Sequence, residues 1–80
     1  MPLILYIKTG CPWCVEAEEV LQRHGLSYDR IDVLRDKKAF QRMREISGQS
    51  KAPVLEWEDH ILSDFGGDEL SVFLQENHLK

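Results

Sequence analysis

The only two cysteines of this chain stand together in Cys11-Pro12-Trp13-Cys14, between an apolar run and a helical pattern, and that junction restricts the fold more than any other stretch. The apolar run is Leu3 to Ile7, and Lys8-Thr9-Gly10 follows it as a turn. Beyond the motif, Val15, Ala17, Val20 and Leu21 alternate with Glu16, Glu18, Glu19 and Gln22 at helical spacing, until Gly25 offers a left-handed stop. A strand, a turn and a helix in this order put Cys11 at a helix N-terminus. Unpaired backbone N–H groups and the positive end of the helix dipole meet there, and both favour a thiolate over a thiol. Pro12 suits the first helical position, where its fixed φ fits and its missing N–H is no loss. Cys14, one turn later, can reach back to the Cys11 sulfur. A disulfide closing so small a loop constrains little of the unfolded chain, so a redox dithiol explains the pair better than a stabilising crosslink.

Two other readings of the cysteines stay open. A structural zinc site needs four nitrogen or sulfur ligands, so His24, His60 or His78 would have to join the cysteines, and no two of these stand at finger spacing. An inert buried pair is the other, although Pro-Trp between the cysteines at a strand-to-helix junction argues against it.

At 80 residues, of which 42% are hydrophobic, the chain suits one small domain with a modest core, residues 1–80. It has no low-complexity segment, internal repeat or linker-like run of Pro, Gly or Ser. The apolar start is too short for a signal-peptide core or a membrane span, and Met1 is retained, so the expected location is the cytoplasm. A reducing compartment also suits two cysteines that must cycle. The net charge of −4 and the lack of a basic run with interleaved aromatics argue against nucleic acid as a partner.

Residues 28–33 read as a second strand with Ile31 and Val33 on one face. Asp36 caps a second helix, ended by Gly48, whose buried stripe is Ala39, Phe40, Met43 and Ile46 and whose Lys37, Lys38, Arg42 and Arg44 form a solvated face. Val54–Trp57 and His60–Leu62 form a hairpin through Glu58-Asp59, with Glu56, Glu58 and Asp59 decorating it and blunting its edge. Gly67 and Asp68 open a third helix that turns Leu70, Phe73 and Leu74 inward. His24, His60 and His78 take surface or capping roles, His24 favourably beside the first helix's C-terminal dipole. The whole is an α/β arrangement, β-α-β-α-β-β-α: two strands made parallel by a helical crossover, an antiparallel hairpin, and a four-stranded mixed sheet flanked by three helices.

This order, with Cys-Pro-aromatic-Cys after the first strand, Ala52-Pro53-Val54 before the hairpin and Gly66-Gly67-Asp68 before the last helix, resembles a glutaredoxin over nearly all of the chain. The resemblance implies the thioredoxin fold and a thiol-disulfide oxidoreductase that uses glutathione to reduce protein disulfides and glutathione mixed disulfides. It makes Cys11 the attacking thiolate and Cys14 the resolving thiol. Trp13, where the family usually has Tyr or Phe, would border the glutathione groove, and Lys8 would support the thiolate and contact the tripeptide. Pro53 matches a cis-proline, and Ala52 before it would pair its backbone with an extended peptide. Gln49, after Gly48, would bind the glycine carboxylate of glutathione. At the γ-glutamyl end, helix amides at Gly67 would take the carboxylate and Asp68 the ammonium. The implied partners are glutathione and disulfide-containing or glutathionylated proteins, with no metal and a monomeric chain.

The chain also departs from the family pattern. Lys51-Ala52-Pro53 stands where most members have Thr-Val-Pro, and Phe65-Gly66-Gly67-Asp68 where Gly-Gly-small-Asp is usual. Ala52-Pro53-Val54 and Ser63-Asp64-Phe65 resemble a sister group, the NrdH-type redoxins, which share the fold but take electrons from thioredoxin reductase. A third alternative is a binding module in which two protomers hold a 2Fe–2S cluster through Cys11 and two glutathiones. Pro12 disfavours it, because cluster-binding relatives more often place Gly or another small residue there.

Overall fold

A computed structural model of the chain describes residues 3–79; Met1, Pro2 and Lys80 lie outside the described residues, so the expected domain of 1–80 reaches beyond them at both ends. The elements run β1 (Leu3–Ile7), α1 (Pro12–Arg23), β2 (Asp29–Asp32), α2 (Lys37–Ser47), β3 (Val54–Trp57), β4 (His60–Leu62) and α3 (Gly67–Glu76). One sheet holds the strands in the order β2-β1-β3-β4. β1 runs parallel to β2 and antiparallel to β3, with Leu5 opposite Leu55, and β4 closes the hairpin on β3 with Leu62 opposite Leu55. This is the expected thioredoxin-like fold, a four-stranded mixed sheet with three helices.

Side-chain alternation along β1 divides the core in two. Leu3, Leu5 and Ile7 face α1 and α3, where they meet Ala17, Val20, Leu21, Leu70 and Leu74. Ile4 and Tyr6 face the other way, toward Met43 of α2, with Val33 and Val54 beside them. Of the expected α2 stripe only Met43 is fully buried; Ala39, Phe40 and Ile46 pack half-buried around it. Asp36 caps α2, its Oδ1 accepting the Ala39 N–H at 3.0 Å. α1 ends at His24, and Gly25 follows at φ 69°, a left-handed turn that favours glycine. β2 is shorter than the 28–33 expected: Val33 continues only as far as donating its N–H to Ile7 O at 2.9 Å, while the Tyr28 hydroxyl turns to Glu18.

Glu56 corrects the reading of the hairpin. β3 is an interior strand, so Glu56 lies beneath α2 with its side chain 14% exposed instead of decorating an edge. The Tyr6 hydroxyl donates to its Oε1 at 2.7 Å, and Arg42, expected on a solvated face, donates to its Oε2 at 2.6 Å. Burial pushes the Glu56 carboxyl up, but the Tyr6 and Arg42 hydrogen bonds outweigh burial and leave its pKa below the usual value. Burial first, and then the bond to Glu56, push Tyr6 from 10.0 to about 12. The two groups act at opposite ends of the pH scale. The depressed Glu56 stabilises the fold above the usual carboxylate range, and this is lost as pH falls through its folded value; the raised Tyr6 stabilises below pH 10.0, and this is lost as pH rises toward about 12. Unfolding midpoints measured across pH should therefore fall at both extremes. Glu56→Gln should flatten the acid arm and Tyr6→Phe the alkaline arm, each by a small amount, and arms of wild-type steepness in both variants would contradict the assignment.

Among the described residues, no helix is long and apolar enough to cross a membrane.

Candidate active site

Cys11 is the N-cap of α1, in extended backbone, and its own N–H donates to Lys8 O at 3.2 Å across the turn. The Cys14 N–H donates to Cys11 Sγ at 3.2 Å, so the first turn of the helix puts a backbone donor on the sulfur. From the far side, Cys11 Sγ lies 3.8 Å from the Ala52 carbonyl, to which the thiol donates. Both cysteines are free; Cys11 is half-buried and Cys14 is buried. Burial is the main cause that raises the Cys14 thiol above its usual pKa, and the hydrogen bond with Cys11 adds to it. One sulfur is therefore reachable and carries one backbone donor, the Cys14 N–H, while its neighbour stays protonated behind it.

Beside the dithiol lies a groove of about 470 Å³ that brings together Trp13, Gln49, Ala52 and Pro53 from the expected set, with Asp64 and Phe65 opposite. The Ala52-Pro53 peptide bond is cis, as the resemblance implies. Trp13 is 61% exposed, which leaves its ring free to cover an occupant. Gly67 and Asp68 line an adjoining depression with Trp13, Glu16 and Arg23. Lys8 lines neither: its ammonium donates to Ser50 O at 2.7 Å and sits 5.2 Å from the centre of the Phe40 ring.

Two of the expected ligand contacts are already engaged by carboxylates of the chain itself. α3 has Gly66 as N-cap and no side-chain cap of its own, and the Gly67 N–H donates instead to Glu16 Oε1 of α1 at 2.5 Å. Gln49 faces Asp64; in the amide orientation that satisfies both groups, its nitrogen donates to Asp64 Oδ1 at 3.1 Å and Oδ2 at 3.0 Å. Glu16 entered the sequence reading only as one polar residue on α1. The available signal was the double glycine at a helix start with Phe65, and no Ser, Thr or Asp, immediately before it, since such an end needs an acceptor from elsewhere. His60 also gains partners that spacing did not reveal: it stacks on Trp57, ring centres 5.5 Å apart, and meets the edge of Phe73. Among the described residues, no group of three or more His, Cys, Asp or Glu side chains is arranged to hold a metal ion.

Comparison with known proteins agrees with this geometry. The family model described as Glutaredoxin matches residues 3–61. An uncharacterized glutaredoxin-like 8.6 kDa protein in the rubredoxin operon of Clostridium pasteurianum is 28% identical over 71 residues, covering 89% of this chain and 95% of that protein. Among solved structures, the NrdH-redoxin of Escherichia coli, described as a glutaredoxin-like protein with a thioredoxin-like activity profile, superimposes with a TM-score of 0.78 at 24% identity, covering 90% of this chain and 93% of the other. A glutaredoxin from Archaeoglobus fulgidus gives 0.81 at 23% identity, over 91% and 85%. At these identities the two structures speak for the fold.

Proposed function

Because the chain belongs to the glutaredoxin family and is thus a thiol-disulfide oxidoreductase, we propose that it reduces protein disulfides through Cys11 and Cys14 and draws its electrons from a protein dithiol, as a thioredoxin reductase supplies, in preference to glutathione. The Cys11 thiolate attacks one sulfur of a substrate disulfide. The substrate S–S bond breaks, a mixed disulfide forms at Cys11, and the released sulfur takes up a proton. Cys14 then gives up its proton and attacks Cys11 Sγ, the second substrate sulfur leaves, and the Cys11–Cys14 disulfide remains. The substrate has gained two electrons and two protons. The half-buried Ala52, beside Cys11, offers its backbone to an extended peptide as an added strand. The raised Cys14 pKa suits this order, because a thiol that stays protonated does not compete for substrate before Cys11 has reacted.

Glutathione is the donor that the resemblance implies, and Trp13, Gln49, Ala52, Pro53, Gly67 and Asp68 would form its surface. The observation that carries the other preference is the engagement of Gly67 by Glu16, with that of Gln49 by Asp64 beside it. A glutathione carboxylate would have to displace a carboxylate at each place, and hydrogen bonds to charged groups contribute about 1.5–3 kcal/mol. A protein dithiol needs neither place. The reading requires one copy of the chain, no metal and a reducing compartment such as the cytoplasm.

Two coupled assays test it, one driven by NADPH and thioredoxin reductase, the other by glutathione and glutathione reductase. We expect kcat/KM to be at least about 10-fold higher for the first donor, the ratio that the lower of those energies supports. Turnover with glutathione alone would overturn the proposed donor and leave the dithiol chemistry standing.

A further inference from the structure

We infer that Glu16 is a specificity-determining residue: its carboxylate fills an anion seat at the start of α3 and thereby selects against anionic thiols as reductants of the Cys11–Cys14 disulfide. The inference deepens the donor preference proposed above and rests on that reading. A helix N-terminus offers unpaired N–H groups and a positive dipole end, which suit a carboxylate. In this chain the seat is shaped for one. A Cβ on Gly67 would stand 3.0 Å from Glu16 Oε1 and 3.2 Å from its carboxyl carbon, whereas a Cβ on Gly66 would press on Glu69 Oε1 at 3.2 Å and meet Glu16 Oε1 only in ordinary contact at 3.6 Å. The missing side chain of Gly67 leaves room for a carboxylate against the backbone, and Glu16 lies in that room with Gly67 N–H on its Oε1.

Position connects this contact to the chemistry. Glu16 follows Trp13 by three residues on α1, so the two side chains share a helix face, and both line the depression that adjoins the groove beside Cys11. Glu16 is half-buried, so its carboxylate is held in place yet lies within reach of solvent. An anionic thiol entering here finds the Gly67 N–H taken and meets Asp68 and Glu69 besides Glu16, three carboxylates against the single cation of Arg23. A neutral thiol has no carboxylate to seat and meets no competitor.

The test follows reduction of the oxidised Cys11–Cys14 protein by glutathione and by neutral dithiothreitol, read by the fluorescence change of the tryptophans and by thiol titration. With glutathione, one thiolate attacks Cys11 Sγ and Cys14 leaves and is protonated; a second glutathione thiolate attacks the bound glutathione sulfur, releasing Cys11 and oxidised glutathione. Glu16→Ala should raise the ratio of the glutathione rate to the dithiothreitol rate about tenfold, the lower bound for removing a charged competitor. Glu16→Gln, which keeps an acceptor but loses the charge, should give a smaller rise and covers the case in which the alanine variant folds poorly. A purely structural cap would lower the melting temperature of Glu16→Ala and move both rates together. An unchanged ratio in both variants therefore overturns the inference, whichever donor the wild type prefers; a glutathione-preferring wild type whose ratio still rises in Glu16→Ala would overturn only the donor reading.

Discussion

Cys11→Ser is expected to reduce turnover on every disulfide substrate to background, a loss on the order of a thousandfold or more, as follows when a nucleophile is taken from a group of residues acting as a unit. Cys14→Ser should behave differently. Its first step is intact, because the Cys11 sulfur keeps the Cys14 backbone N–H at 3.2 Å and the Ala52 carbonyl at 3.8 Å, and neither contact uses the Cys14 side chain. The variant should therefore form mixed disulfides at Cys11 and stall there. It should lose reduction of protein disulfides nearly as completely as Cys11→Ser, yet still remove glutathione from mixed disulfides when a second thiol is supplied. The asymmetry comes from position. Cys14 is 2% exposed and lies in the core cluster with Ala17 and Leu70, so an incoming protein disulfide reaches Cys11 first. Equal loss in the two variants in a deglutathionylation assay would contradict this division of roles.

The largest expected effect on stability comes from Leu55→Ala. Leu55 has no exposed surface, sits in interior strand β3, and is flanked across the sheet by Leu5 and Leu62. Its side chain faces α1 and α3, so truncation leaves a cavity where the sheet meets both helices. A buried Leu→Ala change costs about 2–5 kcal/mol, depending on how far the surroundings relax. A chain of this length has a total of roughly 4–12 kcal/mol, at about 0.05–0.15 kcal/mol per residue. The urea midpoint should fall by a large fraction of its value while the slope stays as it was. A loss under about 1 kcal/mol would mean that this face of the sheet is less tightly packed than the structure has it. Such a substitution leaves the dithiol untouched, so activity measured well below the unfolding midpoint should survive.

The sequence was most informative where the determinants are local. The Leu3–Ile7 run, Pro12 at the first helical position and Gly25 after the helix are short-range signals, and they located β1, α1 and the Cys11 cap. Asp36 located the start of α2 in the same way, by reaching an N–H three residues on. What escaped is held by polar pairs between elements distant in the chain. Glu16 and Gly67 are 51 residues apart, and Tyr6 and Glu56 are 50 apart. A glutamate on an amphipathic helix looks the same whether it faces water or caps another helix, and only the crossing of α1 over α3 distinguishes the two. Glu56 is a similar case: its neighbours Glu58 and Asp59 are on the exposed turn, and nothing local marks it as the acceptor for Arg42. Family resemblance supplied the cis Ala52-Pro53 bond and the groove it borders, but its pattern has no place for the chain's own carboxylates at Gly67 and Gln49.

The central claim, that Cys11 attacks and Cys14 resolves, is tested most directly by a single turnover. Reduced protein is mixed with an equal amount of an oxidised peptide disulfide, quenched at intervals by rapid alkylation, and each sulfur is assigned by mass spectrometry. The account predicts a transient peptide adduct on Cys11 alone, followed by complete conversion to the Cys11–Cys14 disulfide with two peptide thiols released for each disulfide consumed. A lasting adduct on Cys14, or oxidised peptide consumed without the intramolecular disulfide appearing, would contradict it.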